Sequence, residues 1–241
     1  DKNLSLMKMD SKEENPFMGY RAIRFCLDHR DIFLTQLRAI LRASAYGKVK
    51  ILLPMISSIR EVEKSKLLIE QAKEELTKSS MPFDKNIELG VMIEVPGAAL
   101  TTDVIAAECD FISIGTNDLI QYLLAVDRVN DLVANLYEPT HTAVIRTLNM
   151  VVSSACKAGI PVSVCGELAA DPIFAPLLLG MGVTKFSMSA KSVSEIKFLL
   201  RKVPFEKARA LRDEILTLSR SRHIASRLRS FHYEALERFL K

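Results

Sequence analysis

Short apolar runs recur along the chain, and each precedes a stretch whose apolar positions keep helical spacing. "YRAIRF" (20–25) leads into 31–45, where Ile32, Leu34, Leu37, Ile40 and Leu41 suit one helical face. "VKILLPM" (49–55) leads into 58–78, "IELGVMIEVP" (87–96) into 98–107, and "DFISIGTND" (110–118) into 119–126. "IPVSVCGEL" (160–168) leads into 169–179, and "TKFSMSA" (184–190) into 192–200. The runs are short, β-branched and apolar toward both faces, as parallel strands covered by helices are. Strand and helix alternate without hairpin signals, which predicts an α/β fold around a parallel sheet. Residues 205–241 predict one or two amphipathic helices packed on the outside.

Six β/α units fit either an open sheet or most of a barrel, and the polar residues decide between them. Arg21, Glu94, Asn117, Asp118 and Cys165 or Glu167 fall in, or just beyond, the C-terminal halves of predicted strands. Barrel enzymes collect active-site residues at those ends from several strands. The expectation is a (β/α)8 TIM-type barrel lacking its first two strands in this chain, with 1–241 as a single partial barrel domain.

Composition narrows the function. At 241 residues, 49% of them hydrophobic and 26% charged, the chain is long enough to bury a large core. The net charge of +4 owes much to "RSRHIASRLRS" near the C-terminus, so a nucleic-acid partner is not expected. Four cysteines without CxxC spacing read as reduced thiols of a cytoplasmic protein. Neither a signal peptide nor an apolar span long enough for a bilayer is evident, so no membrane association is expected. The chain opens on Asp1-Lys2 rather than on Met, as a fragment would.

Candidate chemistry gathers at the strand ends. Glu94 closes "GVMIE", where a buried carboxylate is costly unless paired or bound to a metal. Asp118 brings a second carboxylate from the next strand end. An oxygen-only pair suits Mg²⁺, or Mn²⁺, better than zinc, and His29, His141, His223 and His232 are scattered elsewhere. Arg21 and Arg128 bracket the pair with planar forks of donors suited to phosphate or carboxylate, whereas Arg24, Arg38 and Arg42 read as surface residues. Cys165 precedes Gly166, which lets backbone and ligand come close. A thiol of ordinary pKa, about 8.5, is mostly protonated at neutral pH and can serve as an acid. Cys26, Cys109 and Cys156 read as small buried hydrophobes. The set describes a site for an anionic, phosphorylated substrate.

The blocks "ENPFMGYRAIR", "LPMISSIREVE", "GVMIEVPGAA", "SIGTNDLIQYLLAVDR", "VCGELAAD" and "LLLGMGVTKFSMSA" closely resemble one family in the right order. That family is the C-terminal phosphoenolpyruvate-binding domain of enzyme I of the bacterial sugar phosphotransferase system. The resemblance runs to about Val203. It implies a (β/α)8 barrel that binds phosphoenolpyruvate and Mg²⁺ and forms homodimers. It also implies transfer of the phosphoryl group to a histidine on an N-terminal domain, release of pyruvate, and relay to the phosphocarrier HPr.

By motif, the resemblance makes Glu94 and Asp118 metal ligands. Asn117 and Asp118 with their backbone, Arg128, Arg21 and Lys2 become substrate contacts, and Cys165 becomes the acid that protonates the methylene carbon. The chain departs from the family at Val129, usually glycine, and at Ile120, usually threonine. Two further phosphate-binding arginines and the "TSH" histidine of the family are absent from this chain. On that account the fragment alone is expected to be inactive. The alternatives are a regulatory paralogue or non-catalytic phosphoenolpyruvate-binding module, and an enzyme of the dikinase or phosphoenolpyruvate synthase type.

Overall fold

A computed structural model describes residue 13 and residues 15–237. Five of the six apolar runs become strands: β1 (Ile51–Leu53), β2 (Leu89–Ile93), β3 (Phe111–Gly115), β4 (Val162–Cys165) and β5 (Lys185–Ser187). They pair in parallel, in the order β1-β2-β3-β4-β5. Each crossover therefore moves one place along the sheet in a constant direction. Before β1 come α1 (Ile23–Asp28) and α2 (Arg30–Ser44), and between the strands lie α3 (Ile59–Lys78), α4 (Pro96–Leu100), α5 (Thr102–Ala106), α6 (Thr116–Leu124), α7 (Thr142–Lys157) and α8 (Ala175–Met181). Three more helices follow β5: α9 (Ala190–Lys202), α10 (Phe205–Thr217) and α11 (Ser221–Glu237).

The chain divides into two compact units, Asp1–Val49 with Glu63–Ile87, and Lys50–Val62 with Glu88–Lys241. The division falls inside α3. All five strands belong to the second unit.

The first unit corrects one expectation. Residues 20–25 form no strand; they turn through Ala22, at φ 51°, into α1. Burial of Ile23 and Phe25 mimics the period of two of a strand. The longer spacing decides otherwise. Phe25, His29, Phe33, Leu37 and Leu41 recur every four residues, the repeat of one helical face. Phe25 and His29 stack with ring centroids 4.3 Å apart, and Phe33, Leu37 and Leu41 are buried along α2. Arg24 reinforces the turn by donating from Nη1 to the carbonyls of Met18 and Gly19, at 2.7 and 3.1 Å. Six strands thus become five.

In the second unit the sheet is one-sided. Register pairs Val91 with Ile112 and Ile112 with Val162, and likewise Ile93 with Ile114 and Ile114 with Val164. Partners in parallel register share a face, so these six residues line one side, and all are buried. The other side carries the large apolar Leu52, Met92 and Phe111 together with Gly90, Ser113, Gly115, Ser163, Cys165, Lys185 and Ser187, of which Leu52, Lys185 and Ser187 are exposed. The runs are therefore apolar on one face and mixed on the other, where the small and polar residues gather on β3, β4 and β5.

Helix α7 lies outside the six sequence units, yet it holds much of the core. Its Val144, Ile145, Leu148, Val151, Val152 and Ala155 are buried, and it contacts α4, α5, α6 and α8. The stretch 98–107 is two short helices that meet at Thr101, rather than one. At the N-terminus of α3, Ser57 and Ser58 donate backbone N–H groups to Glu61 Oε2 at 2.6 and 3.0 Å, the carboxylate half of a capping box.

Helix α8 meets α10 most closely at Gly180, where a Cβ would collide with the carbonyl of Ala208. In an exposed helix, replacing Gly by Ala stabilises by about 1 kcal/mol. Here we expect Gly180→Ala to destabilise by about 1–3 kcal/mol, since backbone must move to admit the methyl. Urea unfolding followed by circular dichroism checks the sign, and a midpoint at or above the wild-type value would refute it.

Candidate active site

The C-terminal ends of β1 to β4 supply the site. After β1 the chain turns at Met55, a buried residue held at φ 57°. The turn aims its backbone N–H at Glu94, whose Oε1 accepts it at 2.6 Å. Glu94 follows β2 and is only 5% exposed. Its carboxylate lies over Gly115 at the end of β3, where a Cβ would stand 2.7 Å from Oε2. The glycine of "IGTND" is therefore a steric requirement of Glu94. Tyr122 leans toward the same corner, its hydroxyl 3.9 Å from Met55 Sδ.

Helix α6 begins at Thr116, so Thr116, Asn117 and Asp118 form its first turn and do not precede it. Thr116 is fully buried, and its hydroxyl donates to the carbonyl of Cys165 at 2.8 Å. Asn117 Oδ1 accepts from the backbone N–H of Glu167 at 3.0 Å. Both bonds reach across Gly166, which sits at φ 96° and whose Cβ would lie 2.6 Å from Thr116 Oγ1 and 2.7 Å from Asn117 Oδ1. Only glycine meets both conditions. With its oxygen committed to this loop, Asn117 has its amide N–H groups to offer a ligand.

These bonds fix Cys165 at the end of β4. Its Sγ donates to the carbonyl of Ile114 at 3.4 Å and accepts from Ser113 Oγ at 3.8 Å. Burial pushes the thiol pKa up, the nearby Glu94 and Asp118 carboxylates add to the rise, and the Ser113 hydrogen bond opposes it. The group therefore stays a neutral thiol at neutral pH, as its assignment as an acid requires.

Arg128 returns to the same corner because α6 ends at Ala125 in the left-handed conformation, φ 53°. The reversal lets the buried Gln121 accept the Arg128 backbone N–H on Oε1 at 3.2 Å. Arg128 Nη1 lies 3.8 Å from Glu167 Oε1. Its Nε is buried and has no acceptor among the described residues. Tyr137 closes the far side, its hydroxyl donating to the Asn117 carbonyl at 3.4 Å. Its pKa is pushed up to about 12 by burial first and by Glu167 and Asp118 as well, with Arg128 acting in the opposite sense.

Glu94, Asn117, Asp118, Arg128 and Cys165 thus all belong to the second unit. Arg21 belongs to the first, where its guanidinium carbon lies 5.9 Å from the centre of the Phe17 ring. Lys2 lies outside the described residues. Sequence reasoning did not assign roles to Met55, Gly115, Gln121 or Tyr137. The glycine before "TND" offered a signal for Gly115, whereas Met55, Gln121 and Tyr137 act through backbone geometry that no spacing rule reveals.

The donor set has a definite chemistry. No cluster of three or more His, Cys, Asp or Glu is placed to hold a metal among the described residues. Glu94 and Asp118 bring two carboxylates from neighbouring strand ends. Mg²⁺ commonly takes one or two protein carboxylates and completes its shell with water and substrate oxygens. The pair fits that ion and does not fit zinc.

A parallel sheet with acid, amide, thiol and guanidinium at its C-terminal ends agrees with the sequence comparison. The family model described as "PEP-utilising enzyme, PEP-binding domain" matches residues 1–205, and the chain belongs to that family. Its relatives include the phosphoenolpyruvate-protein phosphotransferase of Bacillus subtilis (strain 168), 44% identical over 226 residues, which are 94% of this chain and 40% of that protein. The Haemophilus influenzae protein of the same name is 49% identical over 216 residues, 90% of this chain and 37% of its own. The chain thus spans about two fifths of the length of these curated relatives. Among solved structures, a citrate lyase from Burkholderia xenovorans LB400 superposes with a TM-score of 0.55, covering 88% of this chain and 69% of its own. At 18% identity that likeness concerns the fold alone.

The raised thiol pKa has a measurable consequence. Only the thiolate is alkylated, so Cys165 in metal-free buffer should react slowly with iodoacetamide at neutral pH and reach half its limiting rate at a higher pH than an ordinary thiol. Glu94→Gln should move that midpoint down. Peptide mass spectrometry resolves each cysteine, and a midpoint for Cys165 at or below about 8.5, the ordinary value, would contradict the reading.

Proposed function

We propose that this chain is the phosphoenolpyruvate-binding domain of a phosphoenolpyruvate-protein phosphotransferase. The complete protein would pass the phosphoryl group of phosphoenolpyruvate to a histidine on its own N-terminal domain, release pyruvate, and supply the carrier HPr in the cytoplasm. The observation that carries the reading is a Cys165 thiol whose pKa is raised by burial and by the Glu94 and Asp118 carboxylates near it, one loop away from the buried, unsatisfied Nε of Arg128.

A barrel of the (β/α)8 type and a homodimer complete the proposal. The barrel is supported by the strict strand order of the five-stranded sheet. Crossovers between parallel strands are almost always right-handed, so sequential order sends every helix to one side. The face that carries Ser113, Ser163 and Cys165 would then turn inward, toward a barrel axis.

In this reading Arg128 and Arg21, with Lys2, bind the anionic groups of the substrate. The amide of Asn117 orients it, and Glu94 and Asp118 hold Mg²⁺. When bound, Mg²⁺ supplies charge neutralisation for the phosphate oxygens. Phosphoryl transfer itself needs positioning and charge stabilisation more than covalent chemistry from the protein. The enolate left behind must gain a proton on its methylene carbon. Cys165 Sγ gives up that proton as the new C–H bond forms, and the thiolate recovers one from solvent.

Two outcomes test this in the complete protein. Cys165→Ala should slow pyruvate formation by about 10²-fold or more, the scale of general acid catalysis, while phosphoenolpyruvate binding changes little. Serine should rescue poorly, because an alcohol is a far weaker acid. Pyruvate formed at the wild-type rate in a single turnover of Cys165→Ala would demote the residue to a core cysteine. Separately, Glu94→Ala or Asp118→Ala should abolish Mg²⁺-dependent phosphorylation while the circular dichroism spectrum is retained. Near-normal phosphorylation in either variant would remove that carboxylate from the metal site.

A further inference from the structure

Arg128 already faces an anion of this chain. Glu167, two residues beyond Cys165, places Oε1 at 3.8 Å from Arg128 Nη1, while its own side chain is 82% exposed. Such a pair is long and solvated, and pairs of this kind hold weakly. The backbone at each end is nevertheless fixed. Arg128 N–H is bound by Gln121 Oε1 at 3.2 Å, and Glu167 N–H by Asn117 Oδ1 at 3.0 Å. Only side-chain rotation is needed to part them. The pair leaves guanidinium capacity unused, since the buried Nε has no acceptor among the described residues. A purely structural bridge would use the flat fork of the guanidinium at short range, and this one does not.

We propose that Glu167 is a displaceable counter-ion that holds Arg128 at the site and yields it to an anionic group of the ligand, and that it thereby sets the affinity for phosphoenolpyruvate. The proposal deepens the function given above and rests on Arg128 being a substrate contact. The exposed carboxylate swings into solvent at little cost, whereas the guanidinium stays in place. Tyr137, which responds electrostatically to both side chains, marks the same corner from the far side.

The test is phosphoenolpyruvate binding by calorimetry, with Mg²⁺, in the complete protein. Glu167→Gln removes the competing charge, and Glu167→Asp keeps the charge but withdraws it by one methylene. Both should tighten binding about two- to fivefold, the range that loss of an exposed ion pair allows. In an Arg128→Ala background, itself weakened, Glu167→Gln should have no further effect. Unchanged or weaker binding in Glu167→Gln overturns the proposal. Tightening in Glu167→Gln but not in Glu167→Asp also overturns it, because the effect is then general charge rather than pairing. Absence of binding by the wild-type protein overturns the reading of the site itself and the counter-ion with it.

Discussion

Thr116 donates to the carbonyl of Cys165 and Asn117 accepts from the N–H of Glu167, and both bonds close only because residue 166 has no side chain. This junction ties the first turn of α6 to the loop after β4. It aims the Cys165 thiol, holds the backbone of Glu167 opposite Arg128, and uses the oxygen of Asn117 so that its amide remains for a ligand. Remove it and the thiol, the amide and the ion pair lose their common reference. A parallel sheet makes the junction possible, since β3 and β4 are neighbours whose C-terminal ends stand side by side, Gly115 against Cys165.

The division of labour across the sheet follows from the same registry. One face gives branched aliphatic side chains to the helices, above all to α7. The other is mixed: Leu52, Met92 and Phe111 lie toward β1 and β2, while Ser113, Gly115, Ser163 and Cys165 on β3 and β4 are small enough to leave space and polar enough to face water or a substrate. Burying an unpaired carboxylate or thiolate among the aliphatic residues would be prohibitive. Chemistry is therefore confined to the mixed face and to the strand ends, where backbone N–H groups such as that of Met55 are available to a carboxylate.

Much of this was legible in the sequence, and the failures have physical causes. Five strands, their parallel arrangement and the placing of Glu94, Asn117, Asp118 and Cys165 at or just beyond strand ends, with Arg128 one helix later, follow from short apolar runs with polar residues at their ends. The run at 20–25 misled because two buried residues spaced by two imitate a strand, while the fourfold repeat from Phe25 to Leu41 was the stronger signal. Helix α7 carries an equally clear apolar stripe but no strand precedes it directly, so a search for strand-helix pairs passes it by. The polar part of the mixed face was obscured because Ser113 and Ser163 sit among branched residues and are small. Tyr137 and Gln121 matter through one hydrogen bond each to backbone, and such roles leave no periodicity behind.

Two of the four non-glycine residues with positive φ among the described residues stand beside the candidate site, and the other two, Ala22 and Ser80, belong to the first unit. Met55 and Ala125 occupy the left-handed region without being glycine, at a cost of order 1 kcal/mol each. Each stands where the chain must reverse to deliver a group to the site: Met55 gives its N–H to Glu94, and Ala125 brings Arg128 back beside α6. Buried neighbours hold both in place: Met55 is 2% exposed, and the residue after Ala125, Val126, is 6% exposed. The turn after β1 and the reversal after α6 are thus held by buried side chains next to them, and the geometry of the candidate site rests on residues that contribute packing rather than chemistry.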